Sequence, residues 1–81
     1  MPRTPEHNLA APARVDGKPN PAYERRRRAV KSLTRGAVTA LLTSDTAEAD
    51  ARAVADALEE AGYKIAVNQD GNNWRLVVTA R

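Results

Sequence analysis

The chain has 81 residues, five of them proline and none cysteine, with 13 Lys and Arg against 10 Asp and Glu for a net charge of +3. A chain this short holds one small domain with a thin core, and the lack of cysteine rules out disulfide stapling. One histidine, His7, stands in a proline-rich leading segment, so neither a metal nor another cofactor is expected.

Charge is unevenly placed. Residues 1–36 carry nine basic against three acidic side chains, whereas residues 37–81 carry four against seven. This is a basic arm on an acidic body, a pattern that points to a polyanionic partner or to an arm folded against its own domain. Abundant Ala, Arg and Val, with ten Arg to three Lys, suits a bacterial or phage coding bias. No apolar run near the start resembles a signal or membrane-spanning segment, so the expected compartment is the cytoplasm, with no membrane partner.

Residues 1–20 mix Pro, Ala, Asn and Gly with scattered charge and no apolar periodicity. They are expected to form a disordered tail, because they bury too little to offset the entropy of ordering. At Asn20-Pro21 the pattern changes. Asn can cap, Pro suits the first helical position, and AYERRRRAVKSLT favours a helix over about 21–34.

Val30, Leu33, Ala37 and Leu41 keep helical spacing, which leaves open a continuation through Gly36 to about Leu42. Gly36 as a stop and the β-branched residues of AVTALLT instead favour a strand over about 37–43.

The next helix is the clearest element. Asp45 and Glu48 have capping-box spacing, Asp50 adds negative charge near the helix start, and Ala47, Ala51, Val54, Leu58 and Ala61 form one apolar stripe. Gly62 suits the left-handed position after the helix, and Tyr63 can then touch Leu58 in a Schellman ending.

YKIAVNQ and NWRLVVTAR flank Asp70-Gly71, which reads as a two-residue type I′ hairpin. That register pairs Val67 with Trp74, Ile65 with Leu76 and Tyr63 with Val78 on one face, and Lys64 with Val77 and Ala66 with Arg75 on the other. The run Leu76-Val77-Val78 suits a central strand lying between the first two. The expected fold is therefore α+β: a split β-α-β-β sheet over about 37–80, half of a ferredoxin-like unit with a right-handed crossover. The N-terminal basic helix is additional, and 21–81 is the single domain.

The strongest functional candidate is the set Arg25, Arg26, Arg27, Arg28, Lys31 and Arg35. On a helix Arg28, Lys31 and Arg35 form a basic stripe opposite Val30 and Leu33, suited to following nucleic-acid phosphates. The competing reading is a solvated face or one paired with the acidic second helix. Lys64, Arg75 and Arg81, with Thr79, are a secondary contact candidate on the sheet face opposite Trp74, whose ring is assigned to the core rim; a merely solvated face is the favoured reading, because a sheet that recognises RNA exposes aromatics there.

Asp56, Glu59 and Glu60 read as solvated charge, because neighbouring helical positions do not converge on a metal or acid-base site. Ser32 and Ser44 have no histidine beside them in sequence, so an enzyme is not expected.

The segment AVADALEEAGYKIAV, a short polar turn and NWRLVVTAR, within Asp45 to Arg81, together resemble the repeating half-unit of the regulator of ribonuclease E activity B family. Those proteins carry two such units and this chain has room for one, so no binding residues transfer. The resemblance implies a non-catalytic regulator acting by contact. The expected function is a small accessory or regulatory protein engaging nucleic acid or a nucleic-acid-processing assembly. The alternatives are a protein-binding inhibitor and a structural subunit, a possible homodimer, that associates through sheet edges.

Overall fold

The computed structural model describes residues 9–81. Its elements, in chain order, are β1 (Arg14–Val15), β2 (Lys18–Pro19), α1 (Pro21–Thr34), β3 (Thr39–Leu42), α2 (Ala47–Glu60), β4 (Lys64–Asp70) and β5 (Asn73–Ala80). β1 and β2 form a small antiparallel hairpin, and the other strands form an antiparallel sheet in the order β3-β5-β4. The last strand thus lies between the first two of its sheet, as the Leu76-Val77-Val78 run suggested. Among the described residues, no helix is long and apolar enough to cross a membrane.

Residues 9–20 are not the disordered segment that their composition suggested; residues 1–8 lie outside the described residues. Leu9 is 1% exposed and sits in the core with Ala29, Val30 and Leu33. Asp16 and Gly17 have φ of 53° and 76°, so both central residues of the β1–β2 turn are left-handed, as a type I′ turn requires. Asn20 ties this strap to the helix. Its Oδ1 accepts from Ala22 N at 3.1 Å, its Nδ2 donates to Pro12 O at 2.8 Å, and its backbone N donates to Ala13 O at 3.0 Å.

α1 begins at Pro21 as its cap-proline pair suggested and ends at Thr34; Arg35 is the cap and Gly36, with φ 120°, takes the position after it. The amide of Ala37 returns to Ser32 O at 3.1 Å, closing the six-to-one bond of a Schellman ending. Gly36 therefore stops the helix, and the following segment becomes a strand.

α2 starts at Ala47, later than Asp45 and Glu48 implied. Thr46 occupies the N-cap without a capping side-chain bond, and Glu48 pairs with Arg52 at 2.9 Å one turn on. The side chain that organises this end is Asp50. Buried residues extend beyond the expected stripe to Ala53, Ala55 and Ala57, because α2 packs against both α1 and the sheet; Ala61 is exposed. Small side chains permit that double contact. Leu58 lies beneath it, fully buried, and its removal from water contributes roughly 1.5–3 kcal/mol. Gly62, at φ 102°, donates to Glu59 O at 3.0 Å and Tyr63 N donates to Leu58 O at 3.0 Å, giving the Schellman ending expected from Gly-Tyr.

The β4–β5 register differs from the expected one by two residues. Asp70 faces Asn73, Val67 faces Leu76 and Ile65 faces Val78, so the loop is Gly71-Asn72. Gly71 has φ 64°, whereas Asn72 is not among the positive-φ residues, the pattern of a type II′ turn with Gly first. Side chains alternate with period two, so a two-residue slide preserves the faces. Ile65, Val67, Trp74 and Val78 still pack together under the helices, with Leu76 fully buried. A bulge between Lys64 and Ile65 interrupts the β4 ladder.

Candidate functional site

Helical spacing distributes the basic residues of α1 over two opposite sides. Arg26, Ala29, Val30 and Leu33 are its buried residues, an i, i+3, i+4, i+7 set. The second arginine of the run thus projects into the protein, and the next two do not.

There it meets Asp50, which is fully buried on α2. Arg26 Nε donates to Asp50 Oδ1 at 2.8 Å, and Arg26 Nη1 donates to Leu9 O at 2.7 Å. Arg25 Nε donates to Asp50 Oδ2 at 3.1 Å while its Nη2 donates to Thr46 Oγ1 at 3.0 Å. Ser44 Oγ and Thr46 Oγ1 also donate to Oδ2, at 2.8 and 3.2 Å. No buried side-chain polar atom among the described residues lacks a partner, as a buried charge requires.

Burial by itself pushes the Asp50 carboxyl toward higher pKa. Hydrogen bonds from Arg26, Ser44 and Arg25, with the Arg25 charge, outweigh that effect and hold it below the usual aspartate range.

This cluster corrects the candidate set. Arg26 is 8% exposed and is withdrawn from any interface, and Arg25 is largely committed to α2. The alternative reading, pairing with the acidic second helix, holds for these two. Arg27, Arg28, Lys31 and Arg35 form no ion pair among the described residues; Arg28 and Arg35 are exposed, Arg27 and Lys31 half-buried. Arg28, Lys31 and Arg35 lie on the arc opposite Leu33, with Glu24 one turn earlier on the same side.

The secondary set does not form one surface. Arg81 donates to Leu33 O at 2.9 Å and Ala37 O at 3.0 Å, and its guanidinium lies 6.0 Å from the Tyr63 ring centre, so it ties three segments together. Arg75 is paired with Asp70 at 3.2 Å. Lys64 is exposed, and its carbonyl accepts from Thr79 Oγ1 at 3.1 Å. Trp74 is half-buried on the helix-covered face, with the Arg52 guanidinium 5.9 Å from its ring centre, in keeping with a place at the core rim.

Asp56, Glu59 and Glu60 are exposed on α2, and no group of three His, Cys, Asp or Glu among the described residues is placed to hold a metal ion. Ser44 serves Asp50, and Ser32 is exposed on α1. His7 lies outside the described residues.

Between α1 and β3 runs an open groove of about 440 Å³. Its helical wall is Arg25, Arg28, Ala29 and Ser32, and its other wall is residues 40–44. Sequence reasoning missed this groove, and although it offered pairing with the acidic second helix it did not single out Asp50 as the partner. The cluster had left a signal: Asp50 falls within the Ala47, Ala51, Val54 spacing, and Arg26 within that of Val30 and Leu33, so each charge stands on an apolar stripe. No family model, curated protein or solved structure matches the chain.

Proposed function

We propose that this chain is a small, non-catalytic accessory or regulatory module of bacterial or phage origin that engages nucleic acid, or a nucleic-acid-processing assembly, in the cytoplasm. The contact is the outward side of α1, carried by Arg27, Arg28, Lys31 and Arg35. One observation supports this reading most directly. These four cations have no acidic partner among the described residues, while Arg25 and Arg26 beside them are taken up by Asp50. A row of unpaired cations on a rigid helix suits a phosphate backbone and carries little sequence information. The resemblance of residues 45–81 to ribonuclease E regulators is compatible with a contact role of this kind.

The test is fluorescence anisotropy with labelled duplex DNA and single-stranded RNA across a salt series. Neutralising Arg27, Lys31 and Arg35 to glutamine should flatten the log–log salt slope for duplex DNA by up to ~3, at ~0.9 per phosphate contact. Thermal unfolding should stay nearly unchanged, since none of the three takes part in an ion pair among the described residues and charges near the surface contribute about 0–1 kcal/mol. Absence of binding by the unaltered protein at ~20 mM salt, where counterion release is most favourable, would refute the proposal.

A further inference from the structure

We infer that the groove between α1 and β3 is a docking site for an acidic, extended peptide segment, which binds by adding a strand to the free edge of β3. β3 is an outer strand of its sheet. Val38 O accepts from Val78 N at 2.8 Å, and antiparallel pairing alternates. Val38, Ala40 and Leu42 therefore turn their backbone groups toward β5, and Ala37, Thr39, Leu41 and Thr43 turn theirs outward. Arg81 takes up the outward carbonyl of Ala37. The outward groups of Thr39, Leu41 and Thr43 are left as a template for a further strand.

The side chains define which strand fits. Alternate residues of an added strand point to opposite faces. Those on the helix side enter the groove, where Ala29 and Ser32 leave room and Arg28 stands exposed without an acidic partner among the described residues. Arg25 lines the same wall, and no lining residue is acidic. Carboxylates belong at those positions. The intervening residues meet the opposite sheet face beside Leu41, which is 46% exposed, and β-branched apolar side chains suit them. A nucleic-acid strand would satisfy the arginines but has no amide ladder to match the edge. The inference does not rest on phosphate binding, because Arg27, Lys31 and Arg35 are not among the groove-lining residues.

The probe is a fluorescein-labelled octapeptide of alternating Glu and Val, read by anisotropy, with amide exchange followed on the intact protein. Binding should slow exchange at Thr39 and Leu41. Arg28→Glu should weaken it at least about tenfold and Arg27→Glu much less. Peptides N-methylated on one alternate set of amides should lose at least about tenfold and those methylated on the other set should not, a comparison that leaves the protein unaltered. Any one of four results overturns the inference: no saturable binding up to about 1 mM peptide, equal binding of the Lys-for-Glu peptide, indifference to N-methylation, or equal effects of the two arginine variants. Failure here leaves the salt-dependent nucleic-acid result intact, and the reverse also holds.

Discussion

Replacing Asp50 by alanine should be among the most damaging single changes in this protein. The carboxylate is fully buried and accepts four hydrogen bonds, from Arg26, Arg25, Ser44 and Thr46. Removing it leaves the Arg26 guanidinium, itself 8% exposed, with the Leu9 carbonyl and no counter-charge. Removing one partner of a buried pair costs ~3–5 kcal/mol. A domain of 81 residues has only ~4–12 kcal/mol in total, so most of the stability is at stake. Urea unfolding followed by the fluorescence of Trp74 would measure the loss. A second variant separates charge from packing. Arg26→Met with Asp50→Leu removes both buried charges, while Arg25, whose side chain is 34% exposed, can turn to water. That double variant should be more stable than Asp50→Ala, because apolar replacement of a whole buried pair is often neutral or better. A loss below ~1 kcal/mol for Asp50→Ala, the range of a surface pair, would refute the reasoning. So would a double variant less stable than the single one.

The depressed pKa of Asp50 means that the folded protein binds this proton less readily than the unfolded chain does. Its contribution should be fully present above the unfolded value of about 3.9 and lost as pH falls through the lower folded value; Asp50→Asn should reduce that acid dependence in urea melts. Leu9→Ala should cost ~2–5 kcal/mol by denaturant unfolding, whereas Val15→Ala at the half-exposed hairpin should stay within ~0.5 kcal/mol. Equal, small effects would mean that the strap does not contribute to the core. Gly62→Ala meets no atom within 4 Å of the added carbon, so its cost should come only from the backbone, roughly 1–2 kcal/mol at φ 102°. A neutral result in thermal melts would show that the α2 ending relaxes.

What could be read beforehand was local in origin. Asn20-Pro21, Gly36 and Gly62-Tyr63 act within a few residues of themselves, and the structure has their caps where the residue types put them. The β4–β5 faces survived a wrong register because Gly71 serves a type II′ turn as readily as Asp70-Gly71 serves a type I′ turn. The Asp-Gly pair that does form a left-handed turn is Asp16-Gly17, whose flanks, Arg14-Val15 and Lys18-Pro19, lack the apolar alternation that marks a hairpin in sequence. Leu9 is a lone apolar residue, and periodicity cannot reveal a single contact. Asp50 meets Arg25 and Arg26 across 25 and 24 positions of chain, so local spacing, which puts Asp50 and Arg26 each on an apolar stripe, does not pair them.

The two edges of the three-stranded sheet are unequal, and that inequality limits what the fold can build. The β4 edge carries a bulge at Lys64/Ile65 and ends in Asn68, Gln69 and Asp70, features that discourage pairing. The β3 edge has no such bulge. A sheet whose second edge discourages pairing resists propagation. If two copies met through β3, each would occupy the other's open side, and growth would stop at a closed pair instead of extending into a fibril. The same asymmetry makes strand addition stoichiometric, with one guest for each molecule.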